Sequence, residues 1–445
     1  MKVIIVGGVA GGATAAARLR RLDETAEIVV FERSGYVSYA NCGLPYYIGG
    51  VITDKEELTL QTPESFWRRF RVDMRVRHEV TAIHPAEKTV DVRNLATGET
   101  FTESYDKLIL AAGSLPIIPK IEGLELENVD VVKLFQDGQK IDKTLDDPTV
   151  KNVAVVGAGY IGVEIAEAVQ RRGKSVRLFE ALDTTLAGYY DPWFSHDMDE
   201  VLAKNGVELH FGETVKELKG QDGKVCALVT DKGQYDAELV ILAIGFVPNN
   251  KLAGDKLEQF RNGAILVDSH QQTSLPDVYA IGDCATVYSN ALRSPAYIAL
   301  ATNAVRSGIV AAHNACGTAL ESIGVQGSNG ISIYGYKMVS TGLNLKAAER
   351  AGMEVAYTDY EDLQKPGFIK ENHPVKIRII YEKSSRRVVG AQMASYEDIS
   401  MGIHMFSLAI EEGVTIDKLK LLDIFFLPHF NQPYNYITMA ALGAK

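Results

Sequence analysis

Two stretches of the chain repeat one pattern of hydrophobic and small residues. Each opens with a short run of β-branched apolar residues, passes through a glycine-rich turn and continues into an alanine-rich segment with helical spacing. A second apolar run then ends on an acid, at Glu32 in the first stretch and at Glu180 in the second. The pattern predicts two strand–helix–strand units, of which the first begins with a strand at Lys2–Val6.

The pattern changes after about residue 326. Runs such as VKIRIIY and VVGAQMA indicate antiparallel strands, and ISMGIHMFSLAIEEG has the spacing of an amphipathic helix. No glycine-rich turn of the first kind occurs in this part of the chain. We therefore predict a separate α+β domain at the C-terminal end.

The composition narrows the function classes. The chain has 445 residues, 46% of them hydrophobic and 23% charged, which fits several globular domains. Its net charge of -11 argues against nucleic-acid binding, which requires a basic surface. No apolar stretch reaches the ~18 residues of a membrane span, so we expect no membrane association and a cytoplasmic location. The four cysteines show no metal-ligand spacing, so no metal site is predicted.

The turn of the second unit contains Gly157, Gly159 and Gly162 in the spacing G-x-G-x-x-G. In dinucleotide-binding units the first glycine permits a tight turn, the second lets the backbone approach a pyrophosphate, and the third lets the helix pack on the strand. The helix N-terminus then faces the phosphates with free N–H groups. One such motif is weakly specific, but two in one chain, each followed by an acid, predict two dinucleotide sites.

The first unit departs from this spacing. Gly7 and Gly12 fit, but Val9 holds the middle position, while Gly8 and Gly11 keep the turn open. The alternative, an ordinary glycine-rich turn, does not account for the acid that ends the unit.

The acids that end the two units are placed to accept a hydrogen bond from a ribose hydroxyl. Glu32 then suits the adenosine ribose of FAD. Glu180 suits NADH, because its charge would repel the 2′-phosphate of NADPH. We therefore predict FAD and NADH as cofactors, with NADH favoured over NADPH.

Two later apolar strands, in KLILAAG and ELVILAIG, end at Gly113 and Gly245 and are followed by Pro116 and Pro248. We interpret them as crossings between domains. The segment PDVYAIGDCA places Asp283 after another buried strand, at the entrance of a helix. There Asp283 either caps the helix or binds a hydroxyl of a flavin ribityl chain, and the order of the motifs favours the flavin.

Cys42 lies in VSYANCGLPYYIGG, soon after Glu32, and therefore close to the first dinucleotide loop. It precedes a predicted helix, whose N-terminus would lower the thiol pKa and favour the thiolate. A thiolate beside a flavin can take part in two-electron transfer, so we predict that Cys42 is redox-active. The remaining cysteines are expected to be inert structural thiols: Cys226, Cys284 and Cys316.

The order of GGVAGGATAAARLRRL, SYANCGLPYYIGG, LILAAG, GAGYIGVE, AIGFVPN, YAIGDCA and IALATNA resembles that of the pyridine nucleotide-disulfide oxidoreductases. The resemblance covers essentially the whole chain. It points to the branch with one active-site cysteine, because the CxxxxC pair of the glutathione-reductase branch is missing. The single-cysteine branch contains coenzyme A disulfide reductases, NADH oxidases and NADH peroxidases.

The resemblance implies an α/β fold with two Rossmann-like dinucleotide-binding domains and a C-terminal α+β dimerisation domain. Residues 1–115 and 247–325 would form the FAD-binding domain, residues 116–246 the NAD(P)H-binding domain, and residues 326–445 the dimerisation domain. The chain would form a homodimer in which the C-terminal domain completes the active site of the partner subunit.

The resemblance also implies which residues contact the cofactors. Tyr160 would gate the flavin face and Glu164 would lie near the nicotinamide, and both would act in catalysis with Cys42. Leu300 and Ala301 would lie near the flavin ring. The other predicted cofactor contacts are Gly7, Val9, Ala10, Gly11, Gly12, Glu32, Arg33, Asn41, Gly113, Gly157, Gly159, Ile161, Gly162, Glu180, Gly245 and Asp283.

Three features favour a small disulfide or persulfide as electron acceptor, with coenzyme A disulfide first. GGVAGGAT together with SYANCGLPY resembles the coenzyme A disulfide reductases. Ala10 stands where the oxidases and peroxidases typically carry a histidine. Arginines on the first helix suit the phosphates of coenzyme A, which would be a substrate or a bound thiol. By resemblance, four positions would line its channel: Arg18, Arg21, Ser38 and Asn41.

Two features favour an NADH oxidase instead. Phe430, a predicted substrate contact, stands where the coenzyme A reductases carry a tyrosine, and it cannot protonate a leaving thiolate as a phenol can. FFLPHFNQPYNY resembles the C-terminal motif of NADH oxidases. His429 within it is either an acid–base group that reaches across the dimer or a structural histidine.

Three acceptors therefore stay open at the level of sequence. A small disulfide is favoured. Oxygen or peroxide, reduced through a sulfenic acid of Cys42, is the alternative. The third is a partner protein, if the chain is a flavin-dependent electron carrier or redox sensor.

Overall fold

The computed structural model describes residues 1–445. Its strands, in chain order, are β1 (Lys2–Val6), β2 (Glu27–Glu32), β3 (Asp73–Val76), β4 (His78–His84), β5 (Thr89–Asn94), β6 (Thr100–Ser104), β7 (Lys107–Leu110), β8 (Ser114–Pro116), β9 (Val129–Val131), β10 (Asn152–Val156), β11 (Ser175–Glu180), β12 (Val207–Phe211), β13 (Val215–Gln221), β14 (Lys224–Thr230), β15 (Gln234–Asp236), β16 (Leu239–Leu242), β17 (Phe246–Pro248), β18 (Val278–Ala280), β19 (Val287–Ser289), β20 (Ser294–Ala296), β21 (Asn329–Ile333), β22 (Tyr336–Gly342), β23 (Val355–Leu363), β24 (Pro374–Glu382) and β25 (Val388–Ser395).

Eleven α-helices lie between or after these strands. They are α1 (Ala10–Leu22), α2 (Leu44–Ile48), α3 (Pro63–Phe70), α4 (Phe135–Leu145), α5 (Tyr160–Arg171), α6 (Pro192–Lys204), α7 (Ala301–Ala315), α8 (Leu345–Arg350), α9 (Gly402–Glu411), α10 (Ile416–Leu419) and α11 (Tyr436–Leu442). Short 3-10 turns occupy Asn41–Gly43, Lys55–Leu58 and Gly282–Cys284. No helix is long and apolar enough to cross a membrane.

Two parallel five-stranded sheets contain the predicted strand–helix–strand units. The first sheet has the order β18–β7–β1–β2–β3, and the second has the order β12–β11–β10–β16–β9. Strands β1 and β2, and likewise β10 and β11, pair in parallel over five consecutive residue pairs. Their apolar residues are buried on both faces, as expected where helices cover a parallel sheet on both sides.

A two-stranded antiparallel ribbon joins the two parallel sheets. Strand β8 follows β7 of the first sheet, β17 follows β16 of the second, and Pro116 pairs with Phe246 between them. The ribbon lies where the sequence predicted two crossings. Each Rossmann-like unit also carries a three-stranded antiparallel sheet that the sequence did not predict, β4–β5–β6 in the first and β13–β14–β15 in the second.

The C-terminal region is an antiparallel sheet packed against helices, as the sequence predicted. Its strand order is β21–β22–β25–β24–β23. Helices α9, α10 and α11 contribute to a core of 19 buried residues that includes Phe406, Ile410 and Ile437. The predicted fold class, with two Rossmann-like units and a C-terminal α+β domain, is confirmed.

Candidate active site

The carboxyl ends of β1 and β10 open onto one continuous cavity of about 2710 Å³. Residues of both Rossmann-like units and of the C-terminal region line it. Ligands of open α/β sheets bind at the carboxyl ends of the strands. The cavity therefore joins the two predicted dinucleotide sites in a single space.

The glycine turns have the geometry that dinucleotide binding requires. Gly7 has φ 106° and Gly157 has φ 98°, a region that favours glycine. A Cβ atom on Gly7 would lie 2.2 Å from the carbonyl oxygen of Ala111. Cβ atoms on Gly12 and Gly162 would each lie 1.8 Å from the carbonyl oxygen of the first glycine of their own turn. Because these four residues are glycines, each turn can pack closely against its strand.

The middle position of each turn faces the cavity. A Cβ atom on Gly159 would contact only the Tyr189 ring, at 3.9 Å, so the backbone there is open to a ligand. Val9 holds this position in the first turn and lines the cavity. No side chain caps the N-terminus of α1 or α5, and neither first turn carries an acid. Both helix ends are therefore free to bind phosphate groups.

Glu32 and Glu180 occupy equivalent positions in the two units. The carboxylate of each accepts two backbone hydrogen bonds, one from the glycine turn and one from the residue two positions after the acid. The donors are Gly8 (2.8 Å) and Ser34 (2.8 Å) for Glu32, and Ala158 (2.7 Å) and Leu182 (3.0 Å) for Glu180. Both glutamates line the cavity, so their remaining lone pairs are available to ribose hydroxyls.

The cavity fits an FAD and a nicotinamide dinucleotide in the chemistry of its walls. It supplies two uncapped helix N-termini for the pyrophosphates and two buried or half-buried glutamates for the riboses. Two buried amide oxygens, Oδ1 of Asn41 and Oδ1 of Asn249, have no hydrogen-bond partner within the protein, and both residues line the cavity. Buried polar atoms are normally paired, so these atoms are suited to bind a ligand.

Asp283 lines the cavity from the 3-10 turn Gly282–Cys284. Its Oδ2 atom accepts a hydrogen bond from Ser114 Oγ at 3.0 Å and lies 3.6 Å from Lys133 Nζ. The Tyr297 hydroxyl donates to its backbone carbonyl at 3.0 Å. Asp283 therefore does not cap a long helix, and its carboxylate faces the ligand space.

Cys42 lies in the 3-10 turn directly before α2, and its thiol is open to the cavity. Burial raises the thiol pKa, the charges of Glu164 and Asp283 raise it further, and Lys133 opposes them. The prediction that a helix N-terminus lowers the pKa of the Cys42 thiol is therefore wrong. Helix α2 has only five residues and begins two positions after Cys42, so its dipole is weak there.

Tyr160 and Glu164 lie one turn apart on α5 and both line the cavity. Burial, and then the charge of Glu167, raises the pKa of Glu164 to about 7. Burial also raises the pKa of Tyr160 well above its usual value. Glu164 therefore changes charge near neutral pH, whereas Tyr160 stays neutral.

The structure brings most predicted site residues together. Those that line the cavity are Gly7, Val9, Ala10, Gly11, Glu32, Arg33, Asn41, Cys42, Gly113, Gly157, Gly159, Tyr160, Ile161, Glu164, Glu180, Gly245, Asp283, Leu300 and Ala301. Gly12 and Gly162 lie beneath the turns, where they pack helix against strand.

The predicted disulfide-binding residues do not converge on Cys42 within one chain, except Asn41. Nε of Arg18 lies 2.9 Å from Nε2 of His313 and donates a hydrogen bond to it. The guanidinium of Arg21 lies 5.6 Å from the ring centroid of Phe70. Ser38 lies beside the first glycine turn, where its N–H donates to the Gly8 carbonyl, and it does not line the cavity.

His429 and Phe430 lie in an exposed segment between α10 and α11, away from the cavity. Phe430 is 55% exposed and packs on Phe425, with 5.8 Å between the ring centroids. Both residues are thus at the surface of a single chain.

Several cavity residues were not predicted from the sequence. Asn249 ends the quoted segment AIGFVPN, and the others come from segments without a recognisable motif: Lys133, Tyr189, Tyr297, Asn329 and Ser340. Among these others, Lys133 gave a signal, as the one cation in the largely apolar run VDVVKLF. No group of three or more His, Cys, Asp or Glu side chains is placed to hold a metal ion.

Comparison with protein families gives two matches. A family described as pyridine nucleotide-disulphide oxidoreductase matches residues 1–308. The dimerisation domain of the same family matches residues 331–435. Together they cover both Rossmann-like units and most of the C-terminal region.

Individual relatives match over the full chain. A protein named NADH oxidase from Streptococcus pyogenes is 54% identical, with 100% of this chain and 99% of the relative covered. A coenzyme A disulfide reductase from Staphylococcus aureus is 31% identical, with 100% of both covered. The solved structure of a water-forming NADH oxidase from Lactobacillus brevis, bound to NADH, superimposes with a TM-score of 0.96 at 35% identity, covering 99% of this chain and 97% of that one.

Proposed function

Because the chain belongs to the pyridine nucleotide-disulphide oxidoreductase family of flavin-dependent enzymes, we propose that it is a water-forming NADH oxidase. The observation that carries this proposal is the similarity, over the full chain, to proteins named NADH oxidase at 51–54% identity. The lone cysteine open to the cavity supplies the group that such a reaction needs.

The comparisons favour the oxidase over the coenzyme A disulfide reductase that the sequence alone favoured. The reductase from Staphylococcus aureus is 31% identical, whereas the oxidase from Streptococcus pyogenes is 54% identical. Of the three features that favoured coenzyme A, the arginines of the first helix are weakened as evidence. Arg18 is already hydrogen-bonded to His313, and neither Arg18 nor Arg21 lines the cavity.

Coenzyme A disulfide reduction stays the second candidate on one observation. Asn41 lies beside Cys42 with a buried amide oxygen that has no partner in the protein. A substrate that forms a mixed disulfide with Cys42 is suited to use such an acceptor.

FAD and NADH are the cofactors of this proposal. Residues 1–115 and 247–325 would hold FAD, and residues 116–246 would hold NADH. The preference for NADH has a further argument in Arg177, a cation within β11. Its guanidinium donates to Glu208 at 2.9 Å and to the carbonyl of Asp236 at 2.9 Å, so it is not free to bind a 2′-phosphate.

When bound, FAD accepts a hydride from the nicotinamide and passes electrons to the acceptor. The protein's own residues would position the flavin and the nicotinamide, and Cys42 would complete the reduction of oxygen. Two electrons from a first NADH and two protons would convert oxygen to hydrogen peroxide. The Cys42 thiolate attacks the peroxide, an S–O bond forms, the O–O bond breaks, and with one proton the first water leaves. Two further electrons from NADH and one proton convert the sulfenic acid back to the thiolate and release the second water.

A homodimer is part of the proposal. The dimerisation domain carries a cluster of exposed apolar side chains that a monomer would leave in water: Phe425, Phe426, Leu427, Phe430 and Tyr434. His429 lies within this cluster. We propose that it reaches the Cys42 cavity of the partner subunit and supplies the protons. A cytoplasmic location is also part of the proposal.

The experiment that tests the acceptor is NADH consumption by the purified FAD-loaded protein without oxygen. The proposal expects almost no turnover with coenzyme A disulfide and fast turnover when air is admitted. Rapid anaerobic consumption that needs the disulfide and yields about two thiols per NADH would replace the oxidase with the reductase.

A further inference from the structure

The hydroxyl group of Tyr160 is held at the junction between α5 and the C-terminal sheet. It is hydrogen-bonded to Oδ1 of Asn329, the first residue of β21. It also lies 3.0 Å from the hydroxyl of Tyr190. Ser340 of β22, which pairs with Asn329 across the sheet, donates to the same Oδ1 atom at 3.1 Å. We call these four residues the Tyr160 latch.

The direction of each bond follows from the chemistry of the groups. Nδ2 of Asn329 donates to the carbonyl of Gly327 at 2.7 Å, which fixes the amide so that Oδ1 faces Tyr160. Oδ1 accepts only, so Tyr160 must donate its single proton to Asn329. The hydroxyl of Tyr190 is then the donor in the bond between the two tyrosines. Movement of Tyr160 would therefore break two hydrogen bonds, one to Asn329 and one to Tyr190.

The latch is shielded from water on one side and faces the cavity on the other. Tyr190 is 1% exposed and Ser340 is 6% exposed. Tyr160, Asn329 and Ser340 line the cavity. The Tyr189 ring packs edge-on against the Tyr160 ring, with 4.5 Å between centroids. Hydrogen bonds in such a place are costly to break without replacement.

We propose that Asn329 and Tyr190 are positioning residues that hold Tyr160 across the nicotinamide position, so that NADH must break the latch to reach the flavin. The inference rests on the proposed function, because it takes the α5 side of the cavity as the NADH site. It adds that the C-terminal domain, through β21 and β22, controls the affinity of that site.

A latched tyrosine lowers the apparent affinity for the dinucleotide. The apparent dissociation constant equals the intrinsic constant divided by the fraction of molecules with the site open. Removing the latch raises that fraction. The expected effect is therefore tighter binding, whereas a residue that merely supports the structure would give weaker binding when it is removed.

The test uses FAD-loaded protein and two probes that are not oxidised, NAD⁺ and 5′-AMP, with binding measured by calorimetry. NAD⁺ must displace Tyr160, and 5′-AMP occupies only the adenosine end. Asn329→Ala and Tyr160→Phe should each bind NAD⁺ about three- to tenfold more tightly than wild type, with no change for 5′-AMP. Anaerobic stopped-flow titration with NADH should show the same shift in the concentration dependence of flavin reduction.

Ser328→Ala is the matched control. Its hydroxyl is 2.8 Å from that of Thr341, so the variant removes a hydrogen bond near the same two strands without touching Tyr160. It should leave both affinities unchanged. The double variant of Tyr160→Phe and Asn329→Ala should bind NAD⁺ no more tightly than the tighter single variant, because both remove one interaction.

Weaker or unchanged NAD⁺ binding by Asn329→Ala, with wild-type binding of 5′-AMP, would overturn the latch. Fully additive effects in the double variant would also overturn it. Failure of the wild-type protein to bind 5′-AMP and to be reduced by NADH would instead refute the proposed function.

Discussion

Glu32 and Glu180 are the acids predicted to bind a ribose at each of the two proposed dinucleotide sites. Both end a buried strand, and both are fixed by two backbone N–H groups. This support holds the carboxylates in place at the cavity wall, where they can accept hydrogen bonds from ribose hydroxyls. Their chemistry could be predicted from the sequence because the acid follows its glycine turn at a fixed distance.

The charge of Glu180 should set the preference for NADH. Glu180→Gln keeps a hydrogen-bonding side chain and removes the charge that repels a 2′-phosphate. The ratio of kcat/KM for NADPH to that for NADH should rise about tenfold, measured by steady-state kinetics. Asp222→Asn, at an exposed turn of the same unit, is the control for a general change in charge and should leave the ratio as in wild type.

Glu164 should give the enzyme a pH dependence near neutrality. Burial and Glu167 raise its pKa to about 7, so the side chain is ionised only above that pH. A negative charge beside the nicotinamide stabilises the positive charge that hydride donation creates. Anaerobic flavin reduction by NADH should therefore accelerate as pH rises through about 7, and Glu164→Gln should be slow and independent of pH in this range.

The raised pKa of Glu164 also predicts how the stability of the folded protein depends on pH. The folded protein binds the Glu164 proton more tightly than the unfolded chain, whose carboxyl titrates near 4.5. As pH rises from about 4.5 to about 7, the contribution of Glu164 to the free energy of unfolding should therefore decrease. Denaturant unfolding of wild type and Glu164→Gln should diverge across that interval. If wild type and Glu164→Gln show parallel pH profiles of stability, and flavin reduction in wild type does not change with pH, Glu164 does not titrate near neutral pH.

Among the elements, the two strand–helix–strand units were the most predictable. Strand β1 lies at the predicted residues and β2 ends at Glu32 as predicted, because apolar periodicity and glycine turns act within a few residues. The antiparallel sheets β4–β5–β6 and β13–β14–β15 were missed. Their exposed positions carry mixed polar residues, and their stability comes from pairing rather than from a local signal.

The first glycine turn should tolerate no side chain at Gly7. A methyl group there would lie 2.2 Å from a backbone oxygen, and φ is 106°. Gly7→Ala should therefore lose bound FAD and fall markedly in melting temperature, measured by flavin absorbance and thermal unfolding. Gly159→Ala is the matched change in the second turn, where the methyl group meets only a ring at 3.9 Å. It should keep FAD and fold normally, with weaker binding of NADH; loss of FAD by both variants alike would contradict this.

The Tyr160 contacts show why part of the site was beyond the sequence. Tyr160 and Asn329 are 169 positions apart, and Tyr190 comes from a loop between two other elements. No local pattern records that these side chains meet. Arg18 and Arg21 show the opposite case. The basic helix face predicted an anion site, but both side chains contact other parts of the protein and do not line the cavity.

At the scale of the whole molecule, His429 is the residue whose role depends on assembly. It is exposed in one chain and does not line the cavity. If the partner's copy completes the site, His429→Ala and Cys42→Ser should each lose most of the water-forming activity. Mixing the two variants after dissociation should restore about a quarter of wild-type activity, because half of the dimers carry one intact site. No recovery on mixing, with dimers present, would place His429 outside the reaction.

The central claim is that Cys42 completes the reduction of oxygen to water. The measurement that tests it most directly is the ratio of NADH to oxygen consumed, with hydrogen peroxide assayed in parallel. Wild type should consume about two NADH per oxygen and release no peroxide, and Cys42→Ser should consume about one NADH per oxygen and release an equal amount of peroxide. Peroxide as the main product of wild type, or water as the main product of Cys42→Ser, would contradict the account.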